Sequence, residues 1–264
     1  MKSALRSLLD RFPGLKALLK RVLFTFRPPG GVSTHYESMD AAQADAEANR
    51  LRGAWQADEL PLRQRELVDR QLAVYRKGGV VDVFDVLVQA VRKLPQPMAV
   101  LEVGCSSGYY SEVFDIAGLD LDYSGCDYSD AFIALARKTY PKLRFEVEDA
   151  TSLSYKPASF DVVISGCCLL HIPEYSVAVA ETARVARRYA VFHRTPMVLG
   201  RATQYFRKRA YGVVTVEIHF NEPQFLALLA EHGLRVIDTY TLDESVQGGV
   251  GTANRTYVCE KTSS

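Results

Sequence analysis

The sequence predicts an α/β fold: a seven-stranded sheet, mostly parallel with an antiparallel last strand, flanked by helices and preceded by an N-terminal helical extension. Three observations carry this. From residue 99 onward, short β-branched runs alternate with helical patterns, as in a parallel sheet. The stretch Val100-Leu-Glu-Val-Gly-Cys-Ser-Ser-Gly-Tyr-Tyr-Ser111 runs from a strand through a glycine loop into a helix, which builds a ligand pocket at the carboxyl end of a strand. The last two strand-like runs, 234–241 and 255–260, are joined too closely for a parallel crossover and must form an antiparallel hairpin.

Residues 1–27 read as two short helices broken at Pro13-Gly14. Leu15, Leu18, Leu19, Val22, Leu23 and Phe26 share one face at helical spacing, with Lys16, Lys20 and Arg27 opposite. This basic amphipathic segment, 1–31, has three readings: packing on the main domain, a peripheral membrane contact of apolar burial plus basic charge, or a homodimer contact. Pro28-Pro29-Gly30-Gly31 is a linker or turn. Residues 32–78 are charged and alanine-rich and suggest a helical cap or lid, anchored by Tyr36, Trp55 and Tyr75. The α/β domain spans 79–264. It opens with a helix over 79–94, where Val80, Val83, Phe84, Leu87, Val91 and Leu94 fall three and four apart.

The elements then follow in order: strand 99–103, helix 109–117, strand 121–126, helix 130–139, strand 143–147, strand 160–164, helix 174–186 and strand 189–193. Residues 196–220 read as irregular or partly helical. Helix 222–232 ends at Gly233, a plausible cap, and strands 234–241 and 255–260 close the chain around a glycine-rich turn at 245–251.

Composition narrows the function. The chain has 264 residues, 48% apolar and 24% charged, ordinary for a soluble globular protein and enough for one large domain with an appendage. The net charge is +1, but residues 1–27 hold seven basic side chains against Asp10, a net of +6, which leaves about −5 for the rest. A basic body for nucleic acid is absent. No apolar run reaches the roughly 20 residues of a membrane span. Cys105, Cys126, Cys167, Cys168 and Cys259 form no C-x-x-C pair and read as reduced core residues of a cytoplasmic protein.

The glycine loop alone leaves two cofactors open. A dinucleotide fingerprint needs G-x-G-x-x-G, and Ser106 and Tyr109 occupy two of those glycine places. The pattern E-x-G-x-[GS]-x-G fits Glu102 to Gly108, with Ser106 in the middle.

On these residues, from about 79 to 261, the chain resembles the class I S-adenosylmethionine-dependent methyltransferases, with their Rossmann-like sheet. The resemblance implies that the seventh strand inserts between the fifth and sixth. It also implies a set of cofactor contacts. Glu102, Gly104, Cys105, Ser106, Gly108 and Tyr109 would form the loop beneath the amino-acid and ribose parts. Asp127, with Tyr128, matches the family's ribose ligand, since a carboxylate can accept from both hydroxyls. Asp127 also reads as a cap for the following helix, with Ser129 as rival. Asp149-Ala150 matches the adenine contact, the leading reading for Asp149, with a turn residue as the alternative. Ser165, Gly166 and Cys167 match the turn flanking the methionine part. Phe220-Asn-Glu-Pro-Gln-Phe225 resembles the lead-in to the family's last helix.

The implied reaction is methyl transfer from S-adenosyl-L-methionine, leaving S-adenosyl-L-homocysteine, to a small-molecule or a glycan- or lipid-linked acceptor. No metal is expected. Catechol-type relatives carry acids after the fourth strand, where this chain reads Ser165-Gly-Cys-Cys. An Asn-Pro-Pro-Tyr-like motif for amino-group methylation is missing, so oxygen is the favoured acceptor atom. A hydroxyl needs a base, and His171, His193 and His219 all fall on the carboxyl side of the expected sheet. Segments 34–77, 195–220 and 243–253 would select the acceptor. The aromatic and basic group Arg194, Arg201, Tyr205, Arg207, Lys208, Arg209 and Tyr211 would meet an anionic or sugar-like molecule or form a solvated face. Two rivals stand beside this reading: a catalytically inactive S-adenosylmethionine-binding regulatory or scaffold protein, and a nicotinamide oxidoreductase.

Overall fold

The computed structural model describes residues 33–247 and 249–262. The amphipathic segment and linker expected over 1–31 lie outside the described residues. Strand β1 (Ser33–Met39) leads into helix α1 (Ala41–Gly53), a 3-10 turn (Ala54–Gln56) and α2 (Leu60–Arg76). Then follow α3 (Asp82–Arg92), β2 (Met98–Val103), α4 (Tyr109–Ile116), β3 (Leu121–Asp127), α5 (Asp130–Thr139) and β4 (Arg144–Val147). Next come β5 (Phe160–Gly166), a 3-10 turn (Leu169–His171), α6 (Tyr175–Val185) and β6 (Ala186–Leu199). Strands β7 (Gln204–Ala210) and β8 (Val213–Asn221), helix α7 (Glu222–Glu231), and strands β9 (Leu234–Gln247) and β10 (Val250–Lys261) complete the chain.

The strands run in the order β1-β7-β8-β6-β5-β2-β3-β4, with β10 lying between β6 and β9. Pairing is parallel from β6 through β5, β2 and β3 to β4 and antiparallel through β10. The expected insertion of the closing hairpin is therefore present. The central strand Met98–Val103 is apolar apart from Glu102 and buried except at Ala99, as a strand covered by helices on both sides must be. Along β6, Tyr189 and Val191 join one apolar cluster, with Phe84, Leu87 and Phe114. Ala190 and Phe192 join another, with Ile218, Phe220 and Phe225. That split is the two-residue period of a strand.

Among the described residues the sheet has ten strands where the sequence led us to expect seven. The additional three are β1, β7 and β8. Residues 34–39 are strand, not helix, and residues 204–221 form a regular antiparallel hairpin where an irregular segment was expected. Strand β8 reads Val-Val-Thr-Val-Glu-Ile-His-Phe-Asn, with Thr215, Glu217 and His219 alternating with buried Val216, Ile218 and Phe220. Strand β7, Gln-Tyr-Phe-Arg-Lys-Arg-Ala, hides its period because Lys208 points inward and is buried. Strand β1 pairs with β7 from Ser33↔Ala210 to Met39↔Tyr205.

Strand β6 is shared. Up to His193 it pairs with β5, and at Met197 and Val198 it pairs with β8 on the same side. The change falls at a bulge. Phe192 faces Tyr257 and Thr195 faces Arg255, so His193 and Arg194 together oppose Thr256. Arg194 takes φ 57° there. The 3-10 turn after α1 and helix α2 are pinned across the resulting cleft. The Trp55 indole N–H donates to Thr215 Oγ1 at 2.8 Å, Arg63 donates to the Tyr211 carbonyl at 3.1 Å, and the Ser106 hydroxyl donates to Gln64. Among the described residues no helix is long and apolar enough to cross a membrane.

Phe192 is fully buried and meets Phe225 edge-on at 5.8 Å between ring centroids. Phe192→Ala is expected to cost about 3–5 kcal/mol, read as a lower midpoint in denaturant unfolding with an unchanged slope.

Candidate active site

A cavity of about 350 Å³ opens at the carboxyl ends of β2, β3, β5 and β6. Its floor is the glycine loop. The amides of Gly104 and Cys105 both donate to the Cys126 carbonyl, at 2.8 and 2.9 Å. Gly104 sits at φ 74°, where an L side chain is strained, and a Cβ would come within 2.4 Å of the Cys168 Cβ. Only glycine turns the chain here. The Ser106 N–H then donates to Asp127 Oδ2 at 2.9 Å, while the Ser129 N–H donates to Oδ1 at 3.1 Å. Asp127 thereby fastens the loop after β2 to the end of β3. Burial pushes its carboxyl up to about 6, against the pull of the backbone N–H groups. The cap of α5 is Ser129, whose hydroxyl accepts from the Phe132 N–H.

Of the cofactor residues expected from sequence, Gly104, Ser106, Tyr109, Asp127, Tyr128, Asp149, Ala150, Gly166 and Cys167 all line this cavity. Asp149 also serves its turn, accepting from the Thr151 N–H at 2.8 Å and hydroxyl at 2.7 Å. Four expected residues do not line it. Glu102 is 1% exposed and accepts the Tyr123 hydroxyl. A Cβ on Gly166 would come within 2.5 Å of Glu102 Oε1, so the carboxyl lies against the backbone of that cavity residue. Burial pushes it up to about 8, opposed by the Tyr123 hydrogen bond. Cys105 is buried against Gly125. Gly108, at φ 72°, makes room for the Phe145 ring. The Ser165 hydroxyl lies 3.3 Å from the Cys168 sulfur.

The three histidines separate clearly. His171 lines the cavity. Its Nδ1 is 2.6 Å from the Val216 carbonyl, an acceptor only, so Nδ1 carries the hydrogen and Nε2 carries the lone pair. The Trp55 ring packs on it at 4.7 Å between centroids. Burial, reinforced by the Lys208 ammonium, lowers its pKa to about 4. His193 is 1% exposed, with Nε2 2.9 Å from the Tyr110 hydroxyl and Nδ1 2.9 Å from Thr256 Oγ1. Both ring nitrogens are occupied and the side chain lies outside the cavity wall, so it belongs to the frame. His219 also stands outside the wall, with Nε2 2.7 Å from Glu217 Oε1.

The far end of the cavity holds three members of the basic and aromatic group expected to meet an acceptor, Arg194, Lys208 and Tyr211, two expected anchors, Tyr36 and Trp55, and residues that the sequence reading left aside. Lys208 Nζ donates to Glu217 Oε2 and, at 3.0 Å, to Ser33 Oγ. Glu217 Oε1 also accepts the Tyr36 hydroxyl at 3.4 Å. Burial alone pushes Glu217 up, but the His219 N–H and the Lys208 charge hold it near 2. Trp55, Gln64, Arg194, Tyr211 and Asn254 complete the wall. Glu217 and Asn254 carried no motif. The alternation in β8 was the signal for Glu217. The left-handed backbone conformations at Ser106, Cys167, Arg194 and Tyr211 all belong to cavity residues, which is where backbone strain concentrates when it shapes a site. Among the described residues no group of three His, Cys, Asp or Glu comes together to hold a metal ion.

Comparison with known proteins adds to this geometry. Residues 101–192 match the family model described as a methyltransferase domain. The chain is 33% identical over 93 residues to a probable S-adenosylmethionine-dependent methyltransferase of Mycolicibacterium smegmatis, covering 35% of each chain. It is 33% identical over 101 residues to the demethylmenaquinone methyltransferase of Renibacterium salmoninarum, covering 38% of this chain and 41% of that one. The chain thus spans between a third and two-fifths of the length of these curated relatives. Among solved structures, a methyltransferase from Methanosarcina mazei superposes with TM-score 0.52 at 20% identity, over 66% of this chain and 96% of that one. The Burkholderia thailandensis 1,6-didemethyltoxoflavin-N1-methyltransferase, solved with its substrate and S-adenosylhomocysteine, gives 0.50 at 15% identity over 84% and 87%. At these identities the structures establish the fold.

Glu102 generates a pH prediction. Its folded pKa lies above its ordinary value, so the folded protein holds this proton more tightly than the unfolded chain. The stability it adds is complete below about pH 4.5 and is lost as pH rises toward 8. Glu102→Gln, which keeps the shape without the titration, is expected to flatten the fall in Tm between pH 5 and 8 relative to the parent protein.

Proposed function

We propose that this chain, whose matched domain and sheet are those of the class I S-adenosylmethionine-dependent methyltransferases, transfers a methyl group to a hydroxyl of a small molecule. The observation that carries this reading is one cavity lined by Asp127, hydrogen-bonded to the glycine loop, and by His171, whose Nδ1 is taken by the Val216 carbonyl. The wall fits the cofactor. Gly104 leaves no Cβ in the loop, and the Asp127 carboxylate, which accepts from the backbone N–H groups of Ser106, Ser129 and Tyr128, keeps acceptor capacity for a ribose hydroxyl. Asp149 and Ala150 would border the base, and Gly166 and Cys167 the methionine part.

S-adenosylmethionine, when bound, supplies a methyl group already activated by its sulfonium. The chain must orient the acceptor, exclude water and receive a proton. His171 is held neutral by burial and by Lys208, so Nε2 presents a lone pair at any pH above about 4. It would accept the hydroxyl hydrogen of the acceptor, and its orientation is fixed by the bond to Val216 and by Trp55. The lid formed by α1 and α2, pinned to both loop and hairpin, would keep water out. The absence of an Asn-Pro-Pro-Tyr-like motif favours oxygen over nitrogen as the acceptor atom.

Isothermal titration with S-adenosylhomocysteine tests the reading directly, and failure of the full-length protein to bind it would reject a methyltransferase. Two further outcomes follow. Because Asp127 titrates near 6 and only its charged form keeps its full acceptor capacity, cofactor affinity is expected to fall as pH drops through 6. Asp127→Asn should bind weakly at every pH and abolish that dependence. His171→Asn should retain S-adenosylhomocysteine affinity while losing turnover on the order of 10²–10⁴-fold once an acceptor is in hand. Full turnover in that variant removes His171 from the chemistry.

A further inference from the structure

We infer that Arg194 is the seat for an anionic group on the acceptor, so that the substrate class is a hydroxylated molecule bearing a carboxylate or phosphate. The inference rests on the methyltransferase reading above and deepens it. Two cations line the cavity, Lys208 and Arg194. Lys208 is neutralised by Glu217. Arg194 has no such partner among the described residues. Its guanidinium makes no hydrogen bond or ion pair with them, and its Nε is buried with nothing to donate to. Asp243 on β9 feels its charge, yet no ion pair joins the two.

Arg194 is half-buried, so its charge has lost part of its hydration with no counterion in return, and an anion in the cavity would offset that loss. The backbone is built to put it there. The bulge opposite Thr256 and the left-handed conformation at φ 57° change the direction of the side chain at this position alone in β6. Thr256 Oγ1 accepts the Arg194 N–H at 3.4 Å and stands 2.9 Å from His193, so the bulge is held from both sides.

The surroundings suit a polar anion. Asn254 on β10 lines the same wall, and its side-chain oxygen is also buried without a partner. An amide beside a guanidinium supplies both acceptor and donor capacity for a carboxylate or phosphate next to a hydroxyl. Tyr211, from the turn of the β7–β8 hairpin, borders Arg194 and is itself left-handed. Charge is polarised along the cavity. Asp127, Glu148 and Asp149 stand at the end assigned to the nucleoside, and the unneutralised cation stands toward β10 and the hairpin.

The cofactor's own carboxylate has the same chemistry, so the test separates the two sources. Full-length protein and the variants Arg194→Gln and Arg194→Lys are titrated with S-adenosylhomocysteine. Each, saturated with it, is then titrated with 2-, 3- and 4-hydroxybenzoate, their methyl esters and inorganic phosphate. We expect S-adenosylhomocysteine affinity to change less than twofold in Arg194→Gln. At least one hydroxybenzoate should bind the parent protein tenfold or more above its ester. That preference should vanish in Arg194→Gln and be partly kept in Arg194→Lys. A tenfold loss of S-adenosylhomocysteine affinity in Arg194→Gln, with Tm unchanged, would assign the residue to the cofactor and overturn the inference. Absence of any preference for anion over ester in the parent protein overturns it as well. If the parent protein does not bind S-adenosylhomocysteine, the methyltransferase reading itself has failed.

Discussion

The hydrogen-bond ladder of β6 is the constraint on which both halves of the cavity depend. One strand satisfies three neighbours, β5 and then β8 on one side and β10 along the other. Backbone N–H and C=O groups in a sheet interior must all be paired, so a strand can change neighbour only where its ladder is interrupted. On the side shared by β5 and β8 the interruption runs between His193 and Met197, and it coincides with the bulge of His193 and Arg194 opposite Thr256 on the β10 side. Below it, β6 belongs to the parallel sheet that carries the glycine loop. Above it, the strand hands its edge to the hairpin that carries Lys208, Tyr211 and Glu217. His193 sits at the junction with both ring nitrogens engaged, tying α4 to β10.

Burial then sets the protonation of the site. Asp127, Glu102 and His171 are each pushed toward the neutral form by desolvation. Glu217 is the exception, kept charged by Lys208 and His219. The neutral histidine and the compensated lysine–glutamate pair leave one cation of the wall without an internal counterion. The cavity is thus electrically sorted: hydrogen-bond acceptors gather where a sugar would lie, and a bare positive charge stands where a second molecule would enter. Sorting of this kind orients a small molecule through its own charge before any shape selection acts.

The parallel core was legible because every rule there agreed. Continuous apolar runs, glycine loop, capping serine and alternating helices all pointed to one order, and strand and helix bounds fell within a few residues. Asp127, Asp149 and His171 were legible because they stand at the carboxyl ends of those strands. The places of His193 and His219 were not, since β6 was read as five residues when it runs from Ala186 to Leu199, and β8, the strand that carries His219, was not foreseen. A bulge has no sequence signature strong enough to reveal which way Arg194 points. The hairpin was missed for a different reason. Its inward lysine is acceptable only because Glu217 faces it from the adjoining strand, and a single strand's pattern does not announce a partner in another.

The pairing of β1 with β7 has a consequence for how the molecule is made. Lys208 reaches Ser33 across 175 residues of chain. During synthesis the first strand emerges with nothing to pair with, and everything needed for the nucleoside end, through Cys168, follows before its partner exists. The donor half is therefore complete in sequence before the acceptor half can close. Long-range pairing of this sort is the slow step of assembly. The residues of the hairpin that wall the acceptor end are made after those of the nucleoside end.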